Sequence, residues 1–367
     1  MSVQPSPLPA GCIPRCRACA HRTLTVAASE AGKVRWLTER LASWHAVLAP
    51  LVGAGEQPWG YRDKVRLNCQ WQGGWRFGFL TYRAFIPVPD CPVHSPRVRR
   101  VIAALASRLP PPGEFPLAFY AQSGAQATLV LKTAHTPSLD WLDPSMVREL
   151  ADARLEGLWL HLHPCAGRRL FTKNGWQLLW GRPRSRDALG LSYGPSSFQQ
   201  LLPDLYDRSL DEAEDFLDPK PGMAVVDLYC GIGASLRRWT ARGANALGVE
   251  LDGEAVACAR DNAPQARVLR GGCAQRLPQV DDWLAGQAVA GLLYVNPPRM
   301  GLEAGVLEWI SRRYRPLRLA YLSCSAGTLA RDLDGFGQAG YRVLRLRPYD
   351  FFPRTHHVET LALLERG

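Results

Sequence analysis

The chain has 367 residues, 47% of them apolar and 21% charged, a mix that fits a globular protein of two or three domains and excludes disorder over most of its length. No apolar run approaches the ~18 residues that cross a bilayer, and no basic-apolar-small leader opens the sequence, so a cytoplasmic protein without a membrane span is expected. The net charge is +11, yet residues 1–200 carry 24 Lys+Arg against 12 Asp+Glu while residues 201–367 carry 20 against 21. A cationic front half attracts a polyanion, and nucleic acid is the commonest one.

Ten cysteines are present, and in a cytosolic chain a disulfide framework is disfavoured. Cys12, Cys16 and Cys19 fall within eight residues of the stretch GCIPRCRACAHR, and three thiols so spaced can converge on one metal. Cys91 is the best fourth ligand, because the prolines of PDCPVHSP hold it on an extended loop. Zinc sites usually pair their cysteines two and two, whereas three plus one is common in iron–sulfur clusters. Cys-x3-Cys-x2-Cys is also the spacing of radical-SAM enzymes, so that chemistry on Cys12, Cys16 and Cys19 stays open at this point.

Farther along, KVRLNCQW, WRFGFLTYR, ATLVLKT and WQLLWG read as strands split by Gly/Pro turns, with RVRRVIAALASRL and SMVRELADARL as amphipathic helices. Arg62, Lys64, Arg66, Arg76 and Arg83 interleave with Trp71, Trp75, Phe77 and Tyr82. Such a mixture suits phosphate contact and base stacking, although aromatic residues at strand spacing also build cores. The acid-rich stretch from Asp204 to Asp218 reads as part of a connection.

From residue 221, apolar runs alternate with helical patterns: MAVVDLYC, ANALGVEL, EAVACARDNA, AGLLYVNPPR, RLAYLSC, YRVLRLRPY and HHVETLALLER. Alternation of this kind predicts a doubly wound α/β sheet covered on both faces, its last two strands antiparallel because no helix separates them. Gly231 and Gly233 stand where the first strand ends and a ligand must approach the backbone, and Glu250 ends the second strand, where a carboxylate bonds ribose hydroxyls. Leu236 occupies the place of the third glycine of a dinucleotide fingerprint, so a methyl donor of the S-adenosylmethionine type fits better than a nicotinamide.

Two residues point to the reaction. Cys324 ends the fifth strand, where a side chain faces the cofactor and a thiol suggests covalent catalysis. A thiolate added at carbon-6 of a pyrimidine makes carbon-5 nucleophilic; a base must later take the carbon-5 proton. Glu359 lies in the apolar run HHVETLALL, where a carboxylate has no easy solvated explanation, and it is the candidate base.

DLYCGIG, NPPRMG, SCSAGTLARDL and DFFPRTHHVETLALLER, with YRDKVRLNCQ, GFLTYR, PDCPV and SSFQQ upstream, resemble the RNA uracil-5-methyltransferase family over nearly the whole chain. The likeness is nearest to the short 23S rRNA type that lacks an N-terminal oligonucleotide-binding barrel. It implies Cys324 as nucleophile and Glu359 as base, and Gln200, Tyr229, Glu250 and Asn296 as S-adenosyl-L-methionine contacts. It further implies a [4Fe-4S] cluster on Cys12, Cys16, Cys19 and Cys91, and an RNA partner, 23S rRNA ahead of tRNA, with no obligate protein partner. Three departures stand out: Ser-Cys-Ser-Ala for the usual Ser-Cys-Asn-Pro, Leu201-Leu202 where the family carries an Asn, and Asn296 where many members have Asp.

The expected division is a cluster-binding segment (1–54), a β-rich α+β RNA-binding domain (55–185), a connection (186–220) and a class I methyltransferase domain (221–367). The competing readings are a radical-SAM enzyme and a non-catalytic rRNA-binding protein.

Overall fold

The computed structural model describes residues 7–55, 58–82, 84–287 and 291–367; Arg83 lies outside them. Of these, 24–55 and 202–367 form one compact unit, and 7–23 and 58–201 form the other. Residues 24–55, placed by the sequence with the cysteine segment, thus belong to the catalytic half. The physical reason is helix α1 (Val26–Arg40). The Thr25 hydroxyl caps it by accepting the Ala28 N–H at 3.1 Å. Leu37 and Leu41 then enter the same apolar core as Val226, Leu247 and Leu319. Lys33 is buried beside Asp350, which it meets at 2.5 Å, and also donates to the Phe352 carbonyl at 3.0 Å.

The unit of residues 58–201 is built on a sheet of seven strands among the described residues: β1 (Lys64–Trp71), β2 (Trp75–Leu80), β3 (Phe85–Pro87), β4 (Leu117–Ser123), β5 (Gln126–Leu131), β6 (Gly157–Leu162) and β7 (Trp176–Gly181), in the order β3-β2-β1-β4-β5-β6-β7. A small hairpin, β8 (Ser185–Arg186) and β9 (Ser192–Tyr193), follows. Helix α2 (Pro96–Arg108) lies between β3 and β4, and α3 (Pro144–Asp152) between β5 and β6. That second crossover makes β5–β6 the one parallel pair of this sheet. Each helix starts with a capping side chain and a proline. The Ser95 hydroxyl accepts the Val98 N–H at 3.2 Å, and the Asp143 carboxylate accepts the Ser145 and Met146 N–H groups at 2.8 Å. Val98, Val101, Ile102, Leu105, Met146 and Leu150 pack on Val65, Leu67, Leu129 and Leu160. Trp75 and Phe77 belong to this core, whereas Trp71 and Tyr82 are exposed.

The other unit continues with α4 (Pro203–Leu217), β10 (Ala224–Leu228), α5 (Ala234–Ala241), β11 (Asn245–Glu250), α6 (Gly253–Asn262), β12 (Arg267–Arg270) and α7 (Cys273–Ala285). It ends with β13 (Leu292–Val295), α8 (Ala304–Glu308), β14 (Arg318–Ser323), α9 (Ala326–Gln338), β15 (Tyr341–Tyr349) and β16 (Glu359–Arg366). Strand order is β12-β11-β10-β13-β14-β16-β15, parallel except that β16 runs antiparallel to β14 and β15. The chain winds outward from β10 in one direction and from β13 in the other. Ligands of doubly wound sheets bind at the carboxyl ends of the strands flanking that reversal. The acid-rich connection is helix α4: Asp211 and Glu214 hold Arg238 at 2.7 and 3.0 Å, and Glu212 holds Arg345 and Arg347 at 3.1 and 3.2 Å.

Candidate active site

The first wall of the site is the turn after β10. Tyr229, Gly231 and Gly233 all have positive φ (62°, 56° and 83°), a conformation natural to glycine and strained for tyrosine. A Cβ on Gly233 would come within 3.0 Å of the Ala259 backbone, so the start of α5 can lie against α6 only without one. Glu250, at the end of β11, ties the turn down. One carboxylate oxygen accepts the Gly231 N–H at 3.0 Å and the other the Asp252 N–H at 2.8 Å. Burial raises its pKa, and these backbone donors pull it back. Below the turn, Asp227 is fully buried, accepts the Trp239 indole N–H at 2.8 Å, and is pushed up to about 7 by loss of solvent.

The second wall is the segment after β13. The Asn296 N–H donates to the Leu228 carbonyl at 3.3 Å, which joins it to the end of β10. The phenol of Tyr206, on α4, faces Asn296 and Tyr294. Beyond the two prolines, the backbone is fastened to α9. Arg331 donates to the Met300 and Leu302 carbonyls, each at 3.1 Å, and buried Asp332 accepts the Leu302 N–H at 3.0 Å and the Tyr321 hydroxyl at 2.8 Å.

Cys324 and Glu359 meet on the third wall. The last pair along β14 and β16 is Ser323 with Thr360, and Cys324 and Glu359 directly flank it in sequence. Glu359 is buried and Cys324 is half-buried. Burial pushes the thiol up, the Glu359 charge pushes it further, and the Arg299 guanidinium draws it down. The Arg299 guanidinium is thus the nearby cation that favours the ionised sulfur. Sequence reading assigned Arg299 no part here; its place directly after Asn296-Pro297-Pro298 was the available signal.

The structure thus brings Cys324, Glu359, Tyr229, Glu250 and Asn296 into one unit, at the carboxyl ends of β10, β11, β13 and β14 and the amino end of the antiparallel β16. Gln200 lies at the end of the other unit. Cys12, Cys16, Cys19 and Cys91 are also in that other unit. There Gly11, with φ of 77°, has no room for a Cβ against the Asp90 carbonyl, so the first cysteine runs close beside the Asp90–Cys91 backbone. Cys12, Cys16 and Cys91 all bear electrostatically on Cys19, and burial is the main cause that lifts its thiol to about 11. Four thiols are the right donors for a cluster, but they are neighbours without forming a ligand shell. Among the described residues no group of three or more His, Cys, Asp or Glu is arranged to hold a metal ion, so the expected cluster site has no support from the geometry.

The chain is 31% identical to the 23S rRNA (uracil(1939)-C(5))-methyltransferase RlmD of Thiobacillus denitrificans, a match covering 96% of this chain and 84% of that one. It belongs to the RNA uracil-5-methyltransferase family. An RNA uracil-5-methyltransferase of the same RlmD type from Salmonella choleraesuis is 29% identical over 96% of this chain and 80% of its own. The tRNA (Uracil-5-)-methyltransferase family pattern matches residues 279–367, the stretch that holds Asn296, Cys324 and Glu359. The fold is that of Pyrococcus abyssi tRNA (uracil-54, C5)-methyltransferase, solved in complex with S-adenosyl-L-homocysteine. The TM-score is 0.69 at 20% identity, with 99% of this chain and 87% of that chain covered. Membership of this family of uracil-5-methyltransferases gives no support to the radical-SAM reading or to the non-catalytic one. No helix among the described residues is long and apolar enough to cross a membrane.

Proposed function

We propose that this protein transfers a methyl group from S-adenosyl-L-methionine to carbon-5 of a uridine in 23S rRNA, through a covalent intermediate on Cys324. The observation that carries the reading is that Cys324 and Glu359 flank the last β14–β16 pair, with Glu359 and Arg299 both in electrostatic reach of the sulfur. Glu250 and the Tyr229–Gly233 turn would hold the adenosine end of the donor, and Asn296 would lie between donor and base.

In this mechanism the Cys324 sulfur, ionised beside Arg299, bonds carbon-6 of the uracil and pushes an electron pair toward carbon-5. Carbon-5 takes the methyl group as its bond to the donor sulfonium breaks, releasing S-adenosylhomocysteine. Glu359 then accepts the carbon-5 proton, the carbon-5–carbon-6 double bond re-forms, and the Cys324 sulfur leaves. A paired base offers neither face to the thiol, so the target is a loop or flipped nucleotide. With rRNA containing 5-fluorouridine, carbon-5 carries no removable proton, and a protein–RNA adduct is expected to accumulate. A Cys324→Ala variant that still methylates would overturn the mechanism.

An iron–sulfur cluster on Cys12, Cys16, Cys19 and Cys91 is the remaining part of the reading. It is supported by the number and closeness of the thiols and opposed by their present arrangement. No step of methyl transfer passes through it. Iron and acid-labile sulfide in anaerobically purified protein test it, and neither would be found if the four cysteines are simply thiols.

A further inference from the structure

Glu359 is the first residue of β16, and its neighbour across the sheet is Tyr349, the last residue of β15. Residues 350–358 therefore form the connection that delivers the carboxylate to the site. Hairpin connections usually take about two to five residues. This one is longer, and a base at its end inherits whatever freedom the connection keeps.

Residues 24–52, from the far end of the same unit, take that freedom away. The Lys33 ammonium, on α1, meets the Asp350 carboxylate at 2.5 Å and donates to the Phe352 carbonyl at 3.0 Å, so one group fixes two oxygens two residues apart. The Val52 carbonyl accepts the Asp350 N–H at 3.0 Å, and the Val52 N–H donates to the Pro348 carbonyl at 2.8 Å. Arg354 donates to the Leu24 carbonyl. Its φ of 63° is costly for a residue with a side chain, and such a conformation persists only where the surroundings hold it. A short path then leads from the anchor to the base. The Thr355 hydroxyl donates to the Phe352 carbonyl at 2.8 Å and accepts the N–H of His357, two residues before Glu359, at 3.1 Å. Charge is an expensive filling for the anchor: Lys33 and Asp350 are 1% and 4% exposed, and two apolar side chains would occupy the space without drying an ion pair. What they would not supply is direction, since only a donor can hold a named carboxylate and a named carbonyl at once.

We propose that Lys33 is a positioning residue for methyl transfer: from α1 it clamps the connection 350–358, and through it holds the Glu359 carboxylate where the carbon-5 proton is released. The inference deepens the proposed function and rests on Glu359 as its base. Lys33 touches no substrate. Its effect falls on the last step, proton removal and release of Cys324, because thiol attack and transfer of the methyl group do not call on Glu359. A base displaced by about 1 Å can lose a hundredfold in rate while substrate binding stays as it was.

The test uses the full chain. Lys33→Met alone strands a buried carboxylate, so the deciding variant is Lys33→Met combined with Asp350→Leu, an apolar pair that keeps the unit folded, with thermal unfolding as the control. Hydrogen exchange at residues 350–359 reads the clamp, and methyl transfer to a 23S rRNA fragment reads the reaction. In the double variant, exchange at 350–359 is expected to quicken roughly tenfold or more while β10 and β11 keep the parent's rates. The kcat should fall roughly tenfold or more with no rise in KM, and a methylated protein–RNA adduct should accumulate on ordinary uridine, visible in denaturing gels. Unchanged exchange at 350–359, or an unchanged kcat, in a folded double variant would overturn the inference. Activity that returns in step with stability would do the same, since it would make Lys33 merely structural. Faster exchange beside a parent that methylates no RNA would keep the clamp and reject the proposed reaction instead.

Discussion

Two sheets of seven strands sit in one chain and solve opposite problems. The sheet of the catalytic unit is largely parallel, so its connections are helices and its strands are buried: every residue of β10 and β13 is buried. Its chemistry is confined to one edge, the carboxyl ends flanking the strand-order reversal. The other sheet is largely antiparallel and places its two helices on a single face, with Lys64 and Arg66 of β1 on the opposite one. One sheet therefore gathers its candidate catalytic residues at an edge, and the other carries basic residues over a face. Damage to an edge should be severe and local, whereas damage to a surface should be graded and sensitive to salt.

The largest effect is expected at the edge. Cys324→Ala should lower methyl transfer by ~10⁴-fold or more, with unchanged unfolding, in single-turnover assays of labelled methyl incorporation. Glu359→Gln should differ in kind, leaving adduct formation intact and trapping protein on RNA in denaturing gels.

Next in size is the buried Lys33–Asp350 pair. Lys33→Met removes the buried ammonium that pairs with Asp350, and should cost about 3–5 kcal/mol in urea unfolding. The transition of the β1-containing unit should stay in place, because the pair belongs wholly to the other unit. Smaller again is Gly301→Ala. Gly301 has φ of 74°, and its Cβ would press on Arg331 and Asp332 at 2.7 Å, so a loss of roughly 1–2 kcal/mol is expected.

The finest test concerns the thiol. Only the ionised sulfur is alkylated, so the iodoacetamide rate at Cys324 should rise with pH through a midpoint above the ordinary cysteine value. Arg299→Gln removes a lowering charge and should move the midpoint up; Glu359→Gln removes a raising charge and should move it down. Movement in the same direction for both would contradict the arrangement.

The parallel sheet was legible in the sequence because long apolar runs alternated with helical patterns, and β10, β11, β13 and β14 fall inside the runs read as strands. β12 was not, since Arg267-Val268-Leu269-Arg270 is a short edge strand with too few apolar residues to show a period. Helix α1 was hidden by its composition: its buried face includes Lys33 and Ser29, so no apolar stripe announces it. In the other unit β1 matches its run end to end, whereas β4 and β6 were missed, their short apolar runs lying near turns at Gly124 and at residues 153–154. Cys324 and Glu359 were legible because strand ends and misplaced carboxylates carry their own logic. Arg299, Tyr206 and Asp332 were not, because each acts through a neighbour that is distant in sequence.

The Lys33–Asp350 pair carries a consequence for how the protein is made. The catalytic unit opens with α1, is interrupted by the whole of the other unit, and regains the partner of Lys33 317 positions later. During synthesis α1 must therefore wait, unpaired, while the inserted unit emerges and acquires its own core. A fragment begun at residue 202 would hold Cys324, Glu359 and the glycine turn, yet leave the Asp350 carboxylate without the Lys33 ammonium. Cutting the chain at what looks like its domain boundary would sever the enzyme from its own first helix.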